Sequence, residues 1–251
     1  MSPDQLLILL PAFFLLAALY TSVGHAGASG YLAAMALVAV MPDTMRPTAL
    51  ALNILVAAFT TWRFWQAGYF SWRGLWPFLL GSVPLAALGG SLRLTTGLYY
   101  VLAGCALALS AIVLVWRAWG GVAPERPGEA ARIPLAPAMA CGAVIGLLSG
   151  LTGTGGGIFL SPIVLLAGWA GPRHTGGISA PFILANSAVA LAAGTATWAA
   201  LPAELPWLIV AVLAGAVTGT WFGITRLSTR WLLAAMALVL SIAAAKLILT
   251  A

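Results

Sequence analysis

Charge is what this chain has least of. Only 6% of its 251 residues are Asp, Glu, Lys or Arg, against about a quarter in an ordinary soluble domain. That shortage excludes a water-covered globule of this size. Acidic residues are scarcest: Asp4, Asp43, Glu125, Glu129 and Glu204, all at the ends of apolar runs or between them. With no carboxylate inside an apolar run, an intramembrane cation site or carboxylate proton relay has nothing to be built from. The two cysteines, Cys105 and Cys141, both lie inside apolar stretches and read as small hydrophobes, not as a disulfide or a thiolate metal site. No metal site and no cofactor is expected. The eleven basic residues are scattered singly, so the net charge of +6 forms no nucleic-acid patch and reads as topology signals. Met-Ser-Pro-Asp-Gln carries no basic residue ahead of the first apolar run, which is therefore read as a retained helix, not a cleaved leader.

What is there is hydrophobic: 62% of residues, with a mean hydropathy of +1.05. Several long apolar segments make this an all-α polytopic membrane protein. Runs and breakers predict helices at about 5–22 and 28–41, longer spans at 47–68, 74–92 and 95–118, a Pro/Gly-rich linker at 120–132, then helices near 134–151 and 155–170 and spans near 176–197, 204–223 and 229–250. The chain thus divides into a first half, 1–119, the linker, 120–132, and a second half, 133–251. Each half is a broken or re-entrant helix pair plus three transmembrane helices. Because either count is odd, the second half must be inverted relative to the first, a common transporter architecture. Rocking of one half against the other is the motion this repeat suggests.

Orientation follows from the basic residues. Arg63, Arg73, Arg117, Arg126, Arg132, Arg173, Arg226 and Arg230 fall on one predicted side, and Arg46, Arg93 and Lys246 on the other. The richer side is expected to be cytoplasmic, which puts the linker inside and both termini outside, in a bacterial inner membrane. Trp62, Trp65, Trp72, Trp76, Trp116, Trp119, Trp207 and Trp231 lie near predicted span ends and read as interfacial anchors.

Two glycine-rich breaks carry the chemistry. The second, Gly-Leu-Thr-Gly-Thr-Gly-Gly-Gly at 150–157, is the denser; the first, Ser-Val-Gly-His-Ala-Gly-Ala-Ser-Gly, runs from 22 to 30. A break leaves the following helix with unpaired N–H groups and a positive dipole end, and glycine lets an anion approach the backbone. Gly153, Thr154, Gly155, Gly156 and Gly157 form one candidate cradle. Gly24, Gly27 and Gly30 form the other, with His25 and Ser29 as side-chain donors. Packing is the competing account of such glycines; it is the preferred one for the four-residue spacings Gly142, Gly146, Gly150 and Gly215, Gly219, Gly223. Asn53 and Asn186 each place an amide inside an apolar span, a costly position without a partner or substrate. His25 either donates to an anion, titrates, or simply bonds a carbonyl. The expected partners are a small anionic substrate and the lipid bilayer, with the oligomeric state open, a homodimer included.

The run at 146–162, Gly-Leu-Leu-Ser-Gly-Leu-Thr-Gly-Thr-Gly-Gly-Gly-Ile-Phe-Leu-Ser-Pro, resembles the signature of the TauE/SafE sulfite exporter family. Ile178 to Leu191 is similar to that family's following helix. The resemblance implies a membrane transporter, not an enzyme, for sulfite or a small organosulfonate such as sulfoacetate or sulfolactate, with the motif on Gly153, Gly155, Gly156, Gly157 and Pro162. The first half departs from a plain glycine pattern at His25, Ala28 and Ser29. Two other readings stand beside export: proton-coupled uptake of a sulfur-containing anion, and, prompted by Gly-Ala-Ser-Gly at 27–30, an intramembrane serine protease using Ser29.

Overall fold

Apolar runs in a chain with so few charges satisfy their backbone polar groups internally, and helices do this segment by segment. The computed structural model describes residues 1–92, 94–119, 133–194, 200–225 and 229–249. Among them there are ten α-helices and no strand: α1 Pro3–Ser22, α2 Ala28–Leu37, α3 Pro42–Gln66, α4 Trp72–Ser91, α5 Thr96–Trp119, α6 Leu135–Thr152, α7 Gly157–Leu166, α8 Pro172–Ala193, α9 Leu205–Thr225 and α10 Thr229–Leu249. The linker at 120–132, with Arg126 and Arg132, and the basic residues Arg93 and Arg226 lie outside the described residues.

Local chemistry sets the ends. Ser2 opens α1 with a capping box completed by Gln5, and Ser71 Oγ accepts from the Gly74 amide at the start of α4. Pro42 and Pro172 open α3 and α8, where proline's missing N–H costs nothing. Among the described residues six helices are long and apolar enough to cross a membrane: α1, α4, α5, α6, α8 and α9. The short α2 and α7, ten residues each, extend about 15 Å, roughly half of a hydrocarbon core. Leu7, Leu15, Ile112, Val144 and Val210 are exposed, as a lipid-facing surface requires. Trp62, Trp65, Trp72, Trp116, Trp119 and Trp207 are exposed as well.

The tightest seams run between the two halves of the chain. A Cβ on Gly142, Gly146 or Gly150 of α6 would collide with the carbonyl oxygens of Phe78, Ser82 and Ala86 on α4. On the other flank, Gly215 and Gly219 of α9 press in the same way against the carbonyls of Phe14 and Ala18 on α1. These are backbone-to-backbone contacts of the small-residue kind that holds helices together in lipid. The contacts across the middle of the chain also come in pairs. Helix α1 packs on α9 as α6 packs on α4; α3 touches α9 as α8 touches α4; α2 touches α10 as α7 touches α5. Helices α3 and α8, and α5 and α10, pack on each other. The pattern maps onto itself when α1–α5 are exchanged with α6–α10.

Candidate functional site

Both glycine breaks are buried, and they meet. The first joins α1 to α2 and the second joins α6 to α7. Gly155 and Gly156 take φ of +75° and +79°, a left-handed conformation that disfavours any residue with a Cβ. Close approach adds to that demand. A Cβ on Gly155 would strike Asn53 Nδ2, and one on Gly157 would strike Ile183.

Asn53, fully buried on α3, ties the two breaks together. Its Oδ1 accepts from the Ala28 amide at 3.0 Å, supplying an acceptor to the first turn of α2, and its Nδ2 donates to Ser187 Oγ of α8 at 3.2 Å. His25 makes the second tie. Its Nε2 lies 3.1 Å from the Gly157 carbonyl oxygen and 2.8 Å from Ser161 Oγ. A carbonyl only accepts, so the network assigns the ring proton to Nε2. Ser161 Oγ in turn lies 2.8 Å from Ser179 Oγ, giving a buried chain from His25 through α7 to α8.

The remaining candidate residues divide. Ser29 shares a hydrogen bond with Tyr20 OH at 2.9 Å, and a Cβ on Gly30 would meet Leu16 and Tyr20; both face α1, away from the second break. Gly27 lies under the Tyr31 ring, whose hydroxyl donates to the Ala26 carbonyl. Gly24 meets the backbone of Gly176 and the edge of Phe64. Thr154 Oγ1 is 3.1 Å from Thr152 Oγ1. Gly153 packs against Arg46, and Gly156 against Ile145, Phe182 and Ser149. Asn186, also fully buried, does not reach Asn53; its Nδ2 donates to the Phe182 carbonyl one turn back at 2.9 Å. The Ser29 hydroxyl therefore pairs with a tyrosine and His25 with Ser161, so the two do not form the dyad a serine protease needs.

Sequence reasoning missed Ser161, Ser179, Ser187 and Arg46. The serines had a signal: residues 179, 183 and 187 recur every four positions, so they share one face of α8, and that face meets the second break through Ser161, Gly155 and Gly157. Arg46 had none. It was expected among the loop cations, yet it lies in α3 at 9% exposure. Its guanidinium donates to the carbonyls of Gly89, Gly90 and Leu92 at 2.8, 2.6 and 3.0 Å, satisfying the final carbonyls of α4, where the helix dipole is negative. Among the described residues no Asp or Glu is buried.

An all-helical, carboxylate-poor bundle with two half-length helices at its centre defines a multi-pass membrane transporter. The chain belongs to the sulfite exporter TauE/SafE family, whose profile matches residues 9–247. It is 42% identical over 242 residues to the probable membrane transporter protein y4hK of Sinorhizobium fredii (strain NBRC 101917 / NGR234), covering 94% of this chain and 96% of that one. No solved structure matches.

Proposed function

We propose that this transporter exports sulfite or a small organosulfonate, held between the two glycine breaks. The observation that carries the reading is the meeting of those breaks, through Asn53 and His25, in a buried region that holds no carboxylate among the described residues. The residues at the breaks, Gly153, Thr154, Gly155, Gly156 and Gly157 on one side and Gly24, Gly27 and Gly30 on the other, with the side chains of His25, Ser29, Asn53 and Asn186, make up the substrate-binding set; the Gly24 and Gly153 amides already serve the Thr21 and Ser149 carbonyls, so those two glycines contribute close approach and not donors. Export has a ready source of drive. With the cytoplasm negative, each negative charge that leaves gains roughly 2.3 kcal/mol per 100 mV.

The paired helix contacts support two halves, 1–119 and 133–251, joined by the linker at 120–132 and inverted with respect to each other. An odd number of segments per half requires that inversion. The basic residues favour a bacterial inner membrane with the linker cytoplasmic and the termini outside.

One observation favours a second reading, proton-coupled uptake: the hydrogen-bonded chain His25, Ser161, Ser179 is a route along which a proton could pass. Flux in proteoliposomes separates the two. A sulfite or sulfoacetate current driven by an imposed potential, and lost in Gly156→Val, supports uniport. Electroneutral uptake driven by a pH gradient and lost in His25→Gln supports coupling. Absence of flux for every anion under either gradient overturns both.

A further inference from the structure

The second break holds buried polar side-chain atoms that the fold leaves unmet. At the first, Ser29 is paired with Tyr20, Tyr31 with the Ala26 carbonyl, and Asn53 uses both ends of its amide. At the second, Asn186 Oδ1 and Ser149 Oγ are buried without a hydrogen-bond partner among the described residues. Both residues are fully buried. Ser149 lies against Gly156, as does the Phe182 ring one turn before Asn186. One turn after Asn186, Ala190 packs on Gly90 of α4, so Asn186 sits on the α8 face between the second break and α4. Its amide cannot be turned over, because that would set Oδ1 against the Phe182 carbonyl, acceptor to acceptor.

An oxyanion supplies only acceptors, so the backbone amides at the break suit it while Asn186 Oδ1 does not. We infer that the substrate brings its own donor: a sulfur oxyanion that also carries a hydroxyl, an ammonium or an acid proton, which Asn186 Oδ1 accepts. Ser149 Oγ, able to donate or accept, would complete the contact. This rests on the anion reading above and narrows it, since a buried acceptor left unmet penalises any ligand that covers it without a donor.

Three sulfonates of similar size make the test, measured by calorimetry on the purified full-length protein: isethionate (hydroxyl), taurine (ammonium) and 1-propanesulfonate (methyl in the same place), with sulfite, at a pH alkaline enough to keep it unprotonated, as the plain anion probe. Isethionate or taurine is expected to bind roughly tenfold or more tightly than propanesulfonate, as sites built around a substrate donor discriminate strongly. Asn186→Leu is expected to erase that preference, since it removes the acceptor that the donor-bearing ligands meet and propanesulfonate leaves unmet; Asn186→Ala gives the same reading should the leucine variant not insert. Equal affinities in the wild type, or a preference that survives in the variant, overturns the inference and leaves the anion reading standing. Failure of all four ligands to bind overturns both.

Discussion

Gly155 shows how much a single position can require. It needs a left-handed backbone, and Asn53 Nδ2 and Ser187 Oγ occupy the space where a side chain would begin. Gly155→Ala is expected to cost about 1–2 kcal/mol from its backbone alone, and to weaken anion binding at least roughly tenfold (1.4 kcal/mol) by displacing Asn53. Calorimetric titration beside a thermal melt reads both; unchanged affinity would reduce the glycine to a packing residue. Asn53 itself was legible in sequence as a costly amide in an apolar span, but its partners were not. Since it serves the Ala28 amide and Ser187, Asn53→Leu is expected to lower stability by about 1–3 kcal/mol, the desolvation cost of orphaned partners. An unshifted denaturation midpoint in micelles would rule that out. Spacing along a sequence reveals which residues share a helix face, but not which residue on another helix faces them. Hence Asn53 could be flagged while its pairing with Ser187, 134 positions away, could not.

At the level of elements, the apolar runs located all ten helices, and the differences lie at their ends. Helix α2 stops at Leu37 instead of about 41, with Ala39 just beyond at φ +56°. Helix α7 runs from Gly157 to Leu166, shorter than 155–170, because Gly155 and Gly156 belong to the break and Gly168 is left-handed. Helix α3 begins at Pro42, five residues before the predicted start, and takes in Arg46. A charge normally marks the edge of a span, since it costs about 2.5–3.5 kcal/mol at a helix centre on insertion scales. Here the Gly89 and Gly90 carbonyls at the end of α4 and the Leu92 carbonyl just beyond it offset that cost. Arg46→Met is expected to strip the end of α4 of its donors and destabilise the protein by at least about 1.5–3 kcal/mol, the worth of a hydrogen bond to a charged group. Arg46→Lys should recover only part of this, because an ammonium lacks the guanidinium fork. Denaturant titration in micelles compares the two, and equal stability of Arg46→Met and wild type would remove the capping role.

For the whole molecule, the sequence suggests a repeat and the helix contacts pair as a repeat would, but rocking of half against half does not suit the seams. Helices α4 and α6 belong to different halves, as do α1 and α9, and both pairs touch through backbone. A rigid-body motion that separated the halves would have to open the closest contacts in the protein. The units expected to move are therefore mixed pairs, α4 with α6 and α1 with α9. Spin labels at Leu80→Cys and Val144→Cys, both exposed, in a Cys105→Ser, Cys141→Ser background, should keep their separation within about 2 Å during turnover, the shift packed helices tolerate. Labels at Leu15→Cys and Leu80→Cys, one on each pair, should change separation. The reverse pattern would restore rocking halves.

The interleaving also sets a timetable for biosynthesis. Helix α1 ends at Ser22 and its seam partner α9 starts at Leu205, so about 180 residues separate them, and a ribosome adding roughly 5–20 residues per second takes about ten to forty seconds to deliver the partner. Until then the first half waits in the bilayer with its matching grooves unfilled, dependent on lipid or insertion factors to hold it. A ribosome that stalls within the linker would leave behind a chain unable to finish any of its principal seams.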